Sequence, residues 1–188
     1  LRSGHWAMRG AFPLTTALGG KTLGVLGLGR IGEAIAKRAA AFGMRIRYHN
    51  RSKKAVAYPY DADVVTLAKN SDVLLVATPG GAETSKIINA KVLDALGAGG
   101  TLVNIARGSV IDEAALLQYL KEKKIAGAGL DVFDNEPKIN PEWFGVENAV
   151  LFPHVASATL ETRTAMGDLQ VENLHLHFAG KAVRTPVA

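Results

Sequence analysis

Cysteine is absent from the 188 residues of the chain. Its absence excludes disulfides, thiolate nucleophiles and thiolate metal sites, while saying little about compartment. Long apolar runs are missing as well. None approaches the length needed to span a bilayer, and the opening residues do not resemble a signal peptide, so the expected setting is cytoplasmic with no membrane partner. Acidic residues are outnumbered, leaving a formal net charge of +5, which suits an acidic partner such as nucleic acid or a phosphorylated cofactor. The basic residues are scattered, however, and their densest cluster, at Arg51, Lys53 and Lys54, has no interleaved aromatics and no nucleic-acid fold signature. Nucleic acid is therefore not an expected partner. With 48% hydrophobic and 21% charged residues, the chain has the make-up of an ordinary globular domain with one core. No internal repeat or low-complexity segment interrupts it.

Residues 21–54 carry the most information. An apolar strand over 23–26 runs into Gly27-Leu28-Gly29-Arg30-Ile31-Gly32, then an alanine-rich helix to about residue 42, then a second strand over 45–49. This is half of a dinucleotide-binding unit. Gly27 permits the tight turn, Gly29 leaves room for a pyrophosphate to approach the backbone, and Gly32 lets the helix lie close to the strand. The helix N-terminus offers unpaired N–H groups and a partial positive charge to the phosphates. Arg30 and Ile31 complete this group of candidate cofactor contacts. About twenty residues past the motif, where an NAD site places Asp or Glu on the ribose hydroxyls, the chain has Asn50-Arg51-Ser52. Arg51 and Ser52 are suited to donate hydrogen bonds to a 2'-phosphate, with Lys53 and Lys54 adding charge. The competing reading is a solvated basic turn. NADP(H) is the expected cofactor, with NAD(H) as second choice.

The rest of the chain alternates helix and strand. The sequence begins without an initiator Met, and its first residues read like the end of a helix, so a preceding segment is expected. Residues 1–20 form a lead-in whose Trp6 and Phe12 have either a neighbour or the domain itself to pack on. A helix is predicted over 61–69 and a buried strand over 72–77, ending at Thr78-Pro79-Gly80-Gly81. Asn89 is placed to cap a helix over 90–96, followed by a strand over 101–105. Asp112 caps a helix to about residue 123, whose closing lysines suit a helix C-terminus. Strands over 126–132 and 149–152 follow. The alternation predicts an α/β fold, a doubly wound parallel sheet of Rossmann type with helices on both faces, spanning 21–158.

The last helix is predicted over 159–178. At roughly 100° per residue, Val171, Leu174 and Phe178 share one face while Leu169 and Leu176 lie on the other. Residues 159–188 are accordingly expected to pack on a further domain or a partner subunit, the alternative being scattered exposed leucines. His175 and His177 point about 200° apart on such a helix and cannot chelate one metal. No metal site is predicted.

Three titratable or charged residues follow predicted strands: Arg107, Glu136 and His154. The carboxyl ends of parallel strands share one edge of the sheet, so such loops converge. Each residue has a plain alternative, as a surface arginine, a solvated acid before a proline, or a buried histidine bonded to backbone. Taken together they suit reduction of a 2-keto acid, which needs a cation for the carboxylate and an acid for the developing alkoxide. Arg107 offers a forked pair of donors, and a carboxylate such as Glu136 beside His154 favours the imidazolium. Asp131 is suited to accept a hydrogen bond from a nicotinamide carboxamide, or else it closes a turn.

The segments GLGRIG, NIARGSVIDEAAL, GAGLDVFDNEP and PHVASATLETR, in this order, resemble the D-isomer-specific 2-hydroxyacid dehydrogenases, and among them the NADP-dependent glyoxylate/hydroxypyruvate reductase branch. The resemblance implies that Arg107 engages substrate, that Glu136 pairs with His154, and that His154 is the acid/base. It also implies that Thr78, Pro79, Thr84 and Ala106 surround the cofactor, that Asp131 meets the nicotinamide, and that the enzyme is a homodimer acting on a small 2-keto acid. Family members carry an N-terminal substrate domain of roughly a hundred residues that this sequence does not include, so the expectation is of a cofactor domain, poorly active when isolated. The rival readings are an NAD-dependent member of other specificity and a cofactor-sensing interaction module without turnover.

Overall fold

The computed structural model describes residues 2–11 and 14–186, so Phe12 lies outside the described residues. In chain order the elements are α1 (His5–Arg9), β1 (Thr22–Leu26), α2 (Arg30–Ala41), β2 (Arg45–His49), α3 (Val64–Lys69), β3 (Val73–Val76), α4 (Ala90–Leu96), β4 (Thr101–Asn104), α5 (Glu113–Lys121), β5 (Gly127–Leu130), β6 (Ala149–Leu151) and α6 (Leu160–Phe178). The chain forms two compact units, one reaching Leu151 and the other starting at Phe152.

In the first unit six parallel strands form one sheet in the order β2-β1-β3-β4-β5-β6. This is the doubly wound fold that the alternating pattern predicts. All five residues of β1 are buried, as a strand covered on both faces requires. On one face Leu26, Leu74, Val76, Leu102 and Leu130 pack with Leu67 of α3, Leu93 of α4 and Leu116 of α5. On the other, Leu23, Val25, Leu75, Ile46 and Tyr48 pack with Ala36 of α2. Because the chain leaves β1 for β2 on one side and returns to β3 on the other, the direction of winding reverses between β1 and β3. Open α/β sheets bind their ligands at such a point.

Helix starts follow the capping chemistry. Asn89 and Asp112 accept hydrogen bonds from the Val92 and Ala115 N–H groups at 3.4 Å each, satisfying donors that the helix leaves unpaired. The helix predicted over 61–69 begins instead at Val64, capped by Asp63, whose carboxylate accepts the Thr66 N–H at 2.8 Å. Asp61 is buried and committed elsewhere, accepting from Arg47 at 2.6 and 2.8 Å and from Asn70 at 3.1 Å. That bond raises the Arg47 guanidinium above its ordinary value. α5 ends at Lys121, because Lys123 turns into the left-handed region with φ 55°. Only Lys121 among the closing lysines lies in the helix, and Lys124 pairs with Glu122 at 2.7 Å.

α1 is one exposed turn, with Trp6 56% exposed. In the second unit, α6 is capped by Thr159 and has no buried residue along its 19 positions. Val171, Leu174 and Phe178 are exposed, whereas Leu169 and Leu176 are half-buried. The tail folds back on this helix, with the Arg184 N–H donating to Asn173 Oδ1 at 2.9 Å and its guanidinium pairing with Glu172 at 2.7 Å.

Candidate active site

The glycine turn leaves β1 at Gly27, whose φ of 96° is a left-handed conformation natural to glycine. A Cβ there would lie 2.7 Å from the Thr78 nitrogen, so the loops after β1 and β3 touch through backbone. A Cβ on Gly32 would come within 2.3 Å of the Gly27 carbonyl oxygen, so α2 closes directly on the turn. Gly29 differs from both, with no neighbouring atom within 4 Å of an added Cβ. That open side, beside a helix start without a side-chain cap, is what an approaching pyrophosphate needs. Arg30 and Ile31 are exposed in the first helical turn.

Asn50 is committed to this turn. It accepts the Leu28 N–H at 2.6 Å, and its amide donates to the Leu28 carbonyl at 3.5 Å. Lys54 donates to the same carbonyl at 3.0 Å and pairs with Glu33. Its ammonium therefore lies on the glycine turn. Arg51 and Ser52 are exposed, and the Arg51 guanidinium reaches Glu83 at 3.2 Å. Beyond β3, the Thr84 hydroxyl donates to the Pro79 carbonyl at 2.7 Å and closes the loop.

Beyond β4, Asn104 organises the chain. Buried at the end of the strand, it accepts the Ala106 N–H at 3.0 Å and donates to the Arg107 carbonyl at 3.0 Å. Gly108 then allows the closest approach in this region, since a Cβ would fall 2.1 Å from the Phe133 carbonyl carbon. The loops after β4 and β5 are thereby pressed together. The Glu136 carboxylate accepts the Phe133 N–H at 2.8 Å, and Glu113 accepts the Asp134 N–H at 3.0 Å. The Arg107 side chain lies against Gly80, where a Cβ would be 2.9 Å from its Cγ, and Nη1 donates to the Ala106 carbonyl at 2.6 Å.

These loops enclose an open cleft of about 690 Å³, lined by Ile31, Thr78 and Pro79 on one side and by Ala106, Arg107 and Glu136 on the other. Its volume is in the range of small-molecule sites. Six of the residues singled out in the sequence thus share one cavity. Arg51, Ser52, Thr84 and Asp131 do not line it; Asp131 is buried past the end of β5, its N–H donating to the Asn104 carbonyl at 3.0 Å. His154 belongs to the second unit, where it is exposed with φ 52°. Sequence reasoning passed over Asn104 and Gly108, and placed Gly80 only in the break after β3. A polar residue closing an otherwise apolar strand was the available sign for Asn104; the glycines' partners lie too far along the chain to be read. Among the described residues no group of three or more His, Asp or Glu is arranged to hold a metal, and no helix is long and apolar enough to cross a membrane.

Comparison with known proteins agrees with this geometry. Residues 1–156 match the family described as D-isomer specific 2-hydroxyacid dehydrogenase, NAD binding domain. Across all 188 residues the chain is 54% identical to glyoxylate/hydroxypyruvate reductase A of Arabidopsis thaliana and 53% identical to hydroxyphenylpyruvate reductase of Plectranthus scutellarioides. It spans 60% of the length of each. A crystal structure of the NADPH-dependent glyoxylate/hydroxypyruvate reductase of Sinorhizobium meliloti, in complex with NADP and malonate, superposes with a TM-score of 0.94 at 49% identity, covering 100% of this chain and 59% of that one.

Proposed function

The chain belongs to the D-isomer specific 2-hydroxyacid dehydrogenases, and from that membership we propose that the full-length protein reduces a small 2-keto acid of the glyoxylate or hydroxypyruvate type to the D-2-hydroxy acid with NADPH. The observation that carries this reading is the shared cleft, in which Ile31 and Thr78 of the nucleotide side meet Arg107 and Glu136. Residues 21–158 are the cofactor domain, 1–20 a lead-in, and 159–188 a segment that packs on a substrate domain or a partner subunit. A homodimer is the assembly we favour, because Val171, Leu174 and Phe178 of α6 are exposed.

NADPH, when bound, supplies the hydride. The open side of Gly29 would admit its pyrophosphate, and the exposed Arg51 and Ser52 would hold its 2'-phosphate, since Asn50-Arg51-Ser52 directly after β2 contains no acid. Asp131 would accept the hydrogen bond of the nicotinamide carboxamide. Arg107 binds the substrate carboxylate with two parallel donors, exchanging the Ala106 carbonyl for a charged partner and a stronger bond. Glu136, with one oxygen already held by the Phe133 N–H, supports the imidazolium of His154. His154 gives its proton to the oxygen that becomes the new hydroxyl, so charge on the alkoxide is neutralised as it develops.

In the full-length protein, His154→Ala is expected to lower NADPH-dependent reduction of glyoxylate and hydroxypyruvate by at least about a hundredfold, the lower end for a general acid, with NADPH binding unchanged. Turnover at the wild-type rate rejects the assignment of His154.

A further inference from the structure

Arg51, the cation assigned to the 2'-phosphate, already has an anionic partner. Its Nη1 donates to Glu83 Oε2 at 3.2 Å. Glu83 lies on the short turn Ala82–Thr84 beyond β3, and Arg51 follows β2. Since β1 runs between those two strands, the ion pair joins the loops that flank the glycine turn. One loop is tied to the turn by Asn50 on Leu28, and the other closes on itself through the Thr84 hydroxyl on Pro79. The two charged groups themselves are free of packing, with side chains 92% and 78% exposed. Such a pair has little to do for the stability of the fold.

We propose that Glu83 is a specificity-determining residue for the nucleotide: it holds the Arg51 guanidinium in place of the 2'-phosphate and so limits the preference for NADPH over NADH. The inference rests on the assignment of Arg51 to that phosphate. A carboxylate and a phosphate monoester compete for the same forked donors. Once the phosphate occupies Arg51, Glu83 remains at ion-pair range as a like charge, and ions in solution screen that repulsion only in part over a few ångströms. NADH brings no charge to this place and meets neither penalty. An exposed pair of this kind is weak, so the effect is modest, about two- to fivefold in affinity.

The test measures dissociation constants for NADPH and NADH by nicotinamide fluorescence in the full-length protein, at low and at physiological salt, for the wild type, Glu83→Gln, Arg51→Ala and the double variant. Glu83→Gln is expected to tighten NADPH about two- to fivefold, to leave NADH unchanged, and to lose part of its gain as salt rises. In the Arg51→Ala background the gain should shrink. Unchanged or weaker NADPH binding in Glu83→Gln, or an equal gain for NADH, overturns the role of Glu83 while Arg51→Ala still weakens NADPH. Should Arg51→Ala leave NADPH affinity intact, the assignment of Arg51 fails and the inference with it.

Discussion

Beyond β1 the glycine turn closes by backbone approach at Gly27 and Gly32, whereas beyond β4 and β5 side-chain hydrogen bonds hold the main chain around the one close backbone approach at Gly108. On the nucleotide side Gly27 lies on the Thr78 backbone, Gly32 lies under the Gly27 carbonyl, and Asn50 ties Leu28 to the end of β2. Little there has to move for a pyrophosphate to enter. On the other side Asn104, Glu113 and Glu136 hold main-chain groups through hydrogen bonds, and the Arg107 guanidinium rests on its neighbour's carbonyl. The first arrangement is fixed before any ligand arrives. The second leaves its chemical groups exposed and able to change partners, which suits a site whose substrate contributes the missing charge.

The strongest challenge to this contrast is Gly32→Val. With the Gly27 carbonyl only 2.3 Å from a Cβ, α2 must shift away from the turn. The expected result is a loss of about 3 kcal/mol of stability, the upper part of the range for overpacking, and NADPH affinity reduced by more than about tenfold. Near-normal binding by calorimetry would show that backbone closure is not what forms the nucleotide side.

A smaller effect is expected on the side-chain half. Asn104→Leu leaves the buried Ala106 N–H without its acceptor and takes one donor from the Arg107 carbonyl, which keeps the Val110 N–H at 3.3 Å. Such a donor costs about 1–3 kcal/mol when buried and unsatisfied. In the full-length protein the KM for keto acid should rise while NADPH affinity stays within about twofold. Equal damage to both constants would erase the distinction between the two halves.

The smallest effect concerns the opposite, amino edge of the sheet. The Asp72 carboxylate accepts the Thr22 N–H at 2.7 Å, and this bond, with the Lys21 charge beside it, holds its pKa below the ordinary carboxylate value. A group depressed in the folded state contributes stability above its unfolded pKa and loses that contribution as pH falls through the folded value. Thermal melts should therefore show an acid-side decline that is shallower in Asp72→Asn. Cofactor affinity measured at neutral pH should not follow it, since the bond lies at the far edge from the cleft.

Legibility in the sequence follows the same division. The glycine turn was readable because its geometry resides in residue types at fixed local spacing, and Gly27, Gly29 and Gly32 occupy the environments that the spacing predicts. Arg107 and Glu136 were readable because parallel strands bring their following loops to one edge. The start of α3 was not, since Asp61 and Asp63 are equally plausible caps and only the burial of Asp61 against Arg47 separates them. Asn104 bonds within three residues of itself, whereas Gly108 and Glu83 matter through partners far along the chain, at Phe133 and Arg51, and no local pattern records those meetings. The contacts of Lys54 are hidden in the same way, since its partners Leu28 and Glu33 precede it by more than twenty residues.

The double hold of Asn50 on Leu28 bears on how the cofactor choice of this scaffold can be redesigned. An acid introduced at position 50 would keep an acceptor for the Leu28 N–H but lose the amide that donates to the Leu28 carbonyl, leaving two oxygens facing each other. Position 51 has a looser hold, its side chain being 92% exposed and paired with Glu83. Under the role proposed for Arg51, retargeting toward NADH means exchanging that residue, with Asn50 kept as the rivet between strand and turn.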